Sequence, residues 1–388
     1  MNIDKKAAIK VIAAITASAA LCAVLGTTTA RAATINVANV LELTGTGATA
    51  GTNFKNGVEL AIKEINASGG ILGNKIASTT LDTQSNPGVA KGLVKKAVDD
   101  DVFAVFGPIF SGSFIVSMAE TRRAEIPNIT GAEAANITMQ GNPYVFRTSF
   151  TQADAMPKVA SYIVNDAKVG KLAIIYGNND FGKGGRDMLI KALEKSNTKI
   201  VADISTDPGQ VDFSAAVLKA KQSNADAVFV YTNEEESAHV LRELRKQGWN
   251  KPIIGETTLI GQKVIELAGD AANGAISHVG LTADAKNPLM QAFKQRFEKE
   301  YKYAPDHNCI KGYTGMYFLK AAIEKVGKLD RKAVAQALHG LTIKAAQQPG
   351  VLMDVTIDDK GDINRESFIT QVKNGKQEVI SVLPPLKK

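Results

Sequence analysis

The stretch best equipped for chemistry runs from Val102-Phe-Ala-Val-Phe106 through Gly107-Pro108 to Ser111-Gly112-Ser113, ahead of Phe114, Met118 and Ala119. The apolar pentapeptide reads as a strand buried on both faces, the Gly-Pro pair breaks it, and the later spacing is helical. Such a strand, turn and helix bring a hydroxyl and unpaired backbone N–H groups to the carboxyl edge of a sheet. The positive end of the helix dipole stands behind them, which suits a small anion such as a carboxylate. A plainer role stays open here, with Ser111 or Ser113 as the N-cap of an ordinary helix.

Other constellations carry less. Gly177-Asn-Asn-Asp-Phe-Gly182-Lys183-Gly184 follows a strand and precedes a helix, but Gly184 stands where a phosphate-cradling loop needs a hydroxyl for magnesium. Gly45-x-Gly47-x-x-x-Gly51 misses the dinucleotide spacing by one residue. His239, His278, His307 and His339 are nowhere spaced as metal ligands on a helix, so neither a metal nor another cofactor is expected. No Gly-x-Ser-x-Gly elbow occurs, although a Ser/His/Asp triad assembled across the chain stays open. Cys309 is more simply an inert buried thiol than a nucleophile. No catalytic residue is assigned, and a binding protein is favoured over an enzyme.

The elements that must position these residues alternate. Thr34–Leu43 reads as a first strand, Phe54, Val58, Ala61, Ile62 and Ile65 share one helical face, and Gly69-Gly70 ends that helix. Ile76–Leu81 is a second strand, and Asn86-Pro87 starts a helix to about Val98, since the amide caps and proline needs no N–H there. Ile126–Thr130 is a short strand that ends in the loop Gly131–Asn136. A second series follows Thr148: strands at Leu172–Tyr176, Lys199–Ile204, Ala227–Tyr231 and Pro252–Gly255, a polar loop at Asn178–Gly185, and helices at Ser214–Lys221 and Glu235–Gln247. Asn287–Tyr301 and Thr314–Val326 read as helices, and Val351–Ile357 and Ser367–Val372 as strands. Two strand–helix series predict an α/β protein of two doubly wound parallel-sheet lobes, with ligand bound beyond the carboxyl ends of the strands.

The 388 residues exceed one comfortable core, and 45% hydrophobic with 22% charged residues is ordinary for a globular protein. Residues 1–32 read as a cleavable signal peptide: Lys5, Lys6 and Lys10, an apolar run from Val11 to Leu25, then Ala30-Arg31-Ala32. That run is shorter than the roughly 20 residues needed to span a bilayer. Leu21 before Cys22 disfavours lipidation. Cleavage removes a net three of the formal charge of +7 and leaves Cys309 as the single thiol, so no internal disulfide is possible. No basic cluster interleaved with aromatics follows, which excludes nucleic acid as the expected partner. A periplasmic protein is expected.

Gly69-Gly-Ile-Leu-Gly-Asn-Lys75 after a helix ending Glu64-Ile-Asn-Ala, the Phe106–Ser113 turn, Tyr144-Val-Phe-Arg-Thr148, Asn179-Asp-Phe-Gly-Lys183 and Asp358-Asp-Lys-Gly-Asp362 occur in a telling order. Over essentially the whole mature chain, this order resembles the type I periplasmic solute-binding proteins of ABC importers, closest to their leucine/isoleucine/valine-binding group. The resemblance implies two lobes joined by three crossovers, with residues 33–150 and 279–353 in the first and 151–278 and 354–388 in the second. It implies that Phe110 and Ser111 hold a ligand carboxylate, that the Ala132 carbonyl takes an ammonium, and that Glu256 is the acid from the other lobe. Ala134, where the family carries a second hydroxyl, offers only its N–H. Ala50 replaces a pocket aromatic, and Phe181 replaces a tyrosine.

The chemistry is coherent with a zwitterionic ligand, because an unpaired buried charge costs several kcal/mol, roughly. Ser111 and the helix end supply donors, Glu256 the counter-charge, and Ile109, Phe110, Phe181 and Tyr231 an apolar box; Glu133, Asn233 and Glu234 sit on comparable loop ends. The function implied is capture of a branched-chain or other apolar amino acid for a membrane permease by a monomeric protein. A 2-oxo or aromatic carboxylate is the alternative ligand, and a secreted hydrolase the alternative class.

Overall fold

The computed structural model describes residues 33–386; the expected signal peptide lies outside them. In the first half the chain runs β1 (Thr34–Leu41), α1 (Ala48–Ala67), β2 (Lys75–Asp82), α2 (Pro87–Asp99), β3 (Ala104–Phe106), α3 (Ser111–Arg123), β4 (Asn128–Thr130), α4 (Asn136–Met139) and β5 (Val145–Arg147). Their sheet has the order β2-β1-β3-β4-β5. The β1–β3, β3–β4 and β4–β5 pairs are all parallel. β3 is buried throughout, as an all-apolar strand between two helical layers must be. Asn86 caps α2 by accepting the N–H groups of Gly88 and Val89, with Pro87 in the first turn.

The second half repeats the plan. After α5 (Gln152–Ser161) come β6 (Lys171–Gly177), α6 (Asp180–Leu193), β7 (Lys199–Thr206), α7 (Ser214–Gln222), β8 (Ala227–Tyr231), α8 (Glu234–Lys246), β9 (Ile253–Gly255), α9 (Gln262–Ala268) and β10 (Ile276–Val279). The order β7-β6-β8-β9-β10 reproduces that of the first sheet strand for strand. α10 (Pro288–Tyr301), α11 (His307–Val326) and α12 (Arg331–Leu338) return to the first lobe. There α11 lies backbone to backbone on α1. A Cβ on Gly57 would stand 2.0 Å from the Cys309 carbonyl, and one on Gly312 2.1 Å from that of Phe54.

Strands β11 (Thr342–Ile343), β12 (Val355–Ile357) and β13 (Ile363–Asn364) form a small antiparallel sheet, and β14 (Ser367–Lys373) and β15 (Lys376–Leu383) extend the second sheet. β12 and β13 therefore do not join the second sheet, as a boundary after residue 353 requires. They stay beside β5, where the Arg147 N–H donates to the Gly361 carbonyl. The chain crosses back at Arg365–Glu366, because Asp362 is claimed by Arg147 at 2.7 Å. Two local expectations also change. Residues 180–185 are the first turns of α6, capped by Asn179 accepting the Gly182 N–H, rather than a loop. α11 starts seven residues before Thr314, where Asp306 accepts the N–H groups of Asn308 and Cys309.

Candidate functional site

Strand order reverses beside the first strand in each sheet, and ligands of doubly wound sheets bind at such points. A cavity of about 250 Å³ lies there, between the carboxyl ends of the two sheets. The first lobe lines it with Ala50, Ile109 and Phe110, with Ser111, Gly112 and Ser113 of the first turn of α3, with Glu133, and with His307, Asn308 and Lys311 of α11. The second lobe adds Asn179, Asp180 and Phe181 at the start of α6, Pro208, Asn233 and Glu234 at the start of α8, and Thr258.

The donor side is the start of α3. Its N-cap is Phe110, which has no capping side chain, so neither Ser111 nor Ser113 plays that part. The first-turn N–H groups therefore face the cavity without an intrahelical acceptor. The Ser111 hydroxyl oxygen accepts the Ala134 N–H at 3.2 Å.

The acidic side holds two carboxylates shifted in opposite directions. Glu133 accepts from Lys311 at 2.8 Å and from the Tyr231 hydroxyl at 3.1 Å. Burial pushes the Glu133 carboxyl above the usual carboxylate range, and Lys311 offsets only part of that. For Glu234 burial also acts upward. His307, with Nε2 at 3.3 Å, and the Asn308 amide, donating at 2.9 Å, outweigh it and hold the carboxyl at about 2. Glu234 is thus a fixed negative charge at the cavity wall. The lobes also touch at the rim, where the Thr49 hydroxyl donates to Glu235 at 3.1 Å.

A second chamber of about 20 Å³ shares Glu133, His307 and Lys311 and adds Glu256 from the end of β9 and Phe150, Gly280 and Arg365 from the crossovers. Here Glu256 is 3.1 Å from His278 Nδ1 and accepts the Thr257 hydroxyl at 2.8 Å. Burial alone would raise the Glu256 carboxyl, but His278 and Lys311 hold it below the usual range.

The family model described as periplasmic binding protein matches residues 34–377. This chain belongs to the periplasmic binding protein family. Within it, the binding protein sits in the leucine/isoleucine/valine group. It is 30% identical over 339 residues to the Leu/Ile/Val-binding protein BraC3 of Rhizobium johnstonii, covering 87% of this chain and 90% of the relative. It is 27% identical to the Leu/Ile/Val-binding protein of Escherichia coli, covering 86% and 89%. The fold matches the branched-chain amino acid transporter substrate binding protein LivJ from Streptococcus pneumoniae in complex with isoleucine, at a TM-score of 0.82 and 24% identity over 92% of this chain and 100% of that one. It matches equally a solute binding protein of an ABC transporter from Rhodopseudomonas palustris BisB5 in complex with 3,4-dihydroxybenzoic acid, at a TM-score of 0.84 and 22% identity over 91% and 98%. The relatives in this family are binding proteins. No described helix of this binding protein is long and apolar enough to cross a membrane.

Of the residues singled out in the sequence, the structure brings Phe110, Ser111 and Phe181 to the cavity wall. Tyr231 lies one layer behind, stacked on Phe181 at 4.2 Å between ring centroids, and Gln152 ties the two by donating to the Phe181 carbonyl and the Tyr231 hydroxyl. Ala132 and Ala134 are held away from it. The Ala132 carbonyl accepts from Arg147 and from Ser149, and the Ala134 carbonyl accepts from Arg147. Glu256 belongs to the deeper chamber. Glu234, on one of the comparable loop ends, lines the larger cavity instead. Lys311, Asn308 and His307 were missed, although Asp306 before them is a readable helix cap. Cys309 is buried against α1, where burial pushes its thiol up and keeps it inert.

Proposed function

We propose that this chain is the exported substrate-binding component of an ABC importer, which captures an amino acid with an apolar side chain and delivers it as a monomer to a membrane permease. One observation carries the reading: the free N–H groups of α3 on one lobe face the Glu234 carboxylate on the other across a single cavity. A zwitterion spans those two charges, and Ala50, Ile109, Phe110 and Phe181 leave an apolar space for its side chain. The jaws are residues 33–150 with 279–364, and 151–278 with 365–388. Because each jaw holds half the contacts, ligand binds the closed form better and shifts the population toward it.

An aromatic carboxylate is the second reading. It is favoured by the partners already held by both acids, Lys311 on Glu133 and Asn308 with His307 on Glu234, and by fold neighbours that bind benzoates. A thermal-shift panel of the mature chain separates the two. Leucine, isoleucine, valine and phenylalanine are expected to stabilise it, by about 2.7 kcal/mol at a hundred times the dissociation constant. Stabilisation by benzoates alone transfers the assignment to the second reading.

A further inference from the structure

Beneath the α3 turn lies an acid outside the cavity wall. Glu42, just past β1, is fully buried, and its carboxylate accepts the N–H of Ile109 at 3.1 Å and of Phe110 at 3.4 Å. It is tightly enclosed, since a Cβ on Gly47 would lie 2.7 Å from the Glu42 Cβ and 2.8 Å from the Phe110 ring. The Ser113 hydroxyl lies against it and has no other partner.

No Lys, Arg or His is among the groups acting on Glu42. From β2, Asp82 is spent on the N–H groups of Leu43, Thr44 and Gln84. From α6, Asp180 faces Gly112, where a Cβ would be 2.9 Å from its carboxylate. Across the cavity, Lys311 is paired with Glu133, and His307 with Glu234. A ligand carboxylate seated on the first turn of α3 therefore shares that turn with Glu42, with no cation committed to either. Two carboxylates so placed do not both ionise readily.

We infer that Glu42 is a positioning residue for the anion subsite that takes up a proton as a ligand carboxylate enters, so that capture and protonation are one event. The inference rests on the carboxylate-binding reading above. Each Glu42 oxygen accepts one backbone N–H, Oε2 that of Ile109 and Oε1 the longer one of Phe110, so protonation on Oε1 gives up only the weaker bond and leaves the new O–H beside the Ser113 hydroxyl. Burial already pushes the Glu42 carboxyl up to about 7, against the pull of the Ile109 and Phe110 N–H groups, so the proton exchanges near neutrality.

The test is calorimetric titration of L-leucine and of benzoate at pH 6 to 9, in buffers of different ionisation enthalpy. At pH 8 the wild type is expected to take up more than half a proton per ligand bound, with affinity falling by up to about tenfold per pH unit above 7. Glu42→Gln is expected to bind with no proton uptake and a flat profile. Ser113→Ala, which removes a hydroxyl that favours the ionised acid, is expected to move the wild-type profile to higher pH. Binding without proton exchange in the wild type, or the same exchange in Glu42→Gln, overturns the inference.

A ligand-free arm separates this outcome from failure of the carboxylate reading. A raised pKa means that folding retains a proton the unfolded chain releases. The stability of wild type relative to Glu42→Gln is therefore expected to fall as pH rises from 4.5 to about 7 and to level above it. Neither probe binding at pH 6 overturns the carboxylate reading, and a flat ligand-free difference overturns the assignment of Glu42.

Discussion

Arg147→Met is expected to cost about 3–5 kcal/mol of stability in urea unfolding, the largest loss from any single change at the site. Arg147 is wholly buried at the end of β5. Its guanidinium donates to Asp362 at 2.7 Å, to the carbonyls of Ala132 and Ala134, and to the Thr138 hydroxyl. Methionine fills much of the volume but leaves the Asp362 charge buried, takes a donor from the Ala134 carbonyl and leaves the Ala132 carbonyl with Ser149 alone, and truncating one partner is what makes a buried pair expensive. The same change releases the loop that carries Glu133, so ligand affinity falls with stability. A loss below about 1 kcal/mol would place Arg147 among ordinary surface-type pairs and contradict its role as the clamp of that loop.

Glu234→Gln is expected to weaken an amino acid by about thirtyfold or more, roughly 2 kcal/mol, and to leave benzoate within about threefold. The reasoning is electrostatic. His307 and Asn308 keep Glu234 ionised at about 2 despite its burial, so it presents a permanent charge to an ammonium. Glutamine keeps the shape and removes the charge. Calorimetry on both ligands reads the difference, and equal loss for the two would show that Glu234 merely supports the wall.

Much of the fold is legible because local signals agree with the tertiary outcome. Ala227–Tyr231 is a run of five apolar residues and a fully buried strand with those bounds. Asn86-Pro87 starts its helix as capping chemistry dictates. Failures fall where a side chain answers to something far along the chain. Residues 307–313 hide the start of α11 because His307, Asn308 and Lys311 are polar for the sake of Glu234 and Glu133, 73 to 178 positions away. α5 contains Pro157 and a buried Lys158, whose ammonium donates to Ser367 at 2.6 Å across the lobe. β15 is a charged edge strand with no clean alternation, defined by its pairing with β14.

The site was half visible for the same reason. Ser111 and Phe181 announce themselves by turn chemistry and aromatic character. Glu256 occupies a fitting loop end, yet His278 on the neighbouring strand β10 pairs with it in the deeper chamber, and Glu133 and Glu234 line the cavity. Ala132 sits in the expected loop, but Arg147 has taken its carbonyl. Glu42 gives no local sign at all, being one acid after an apolar strand.

Small-angle scattering of the mature chain, with and without the best amino acid from the thermal-shift panel, tests the two-jawed account most directly. A smaller radius of gyration at saturation, abolished for the amino acid in Glu234→Gln at the same concentration, is the predicted result. Superimposable profiles with calorimetrically proven occupancy would mean that the lobes do not close on their cargo.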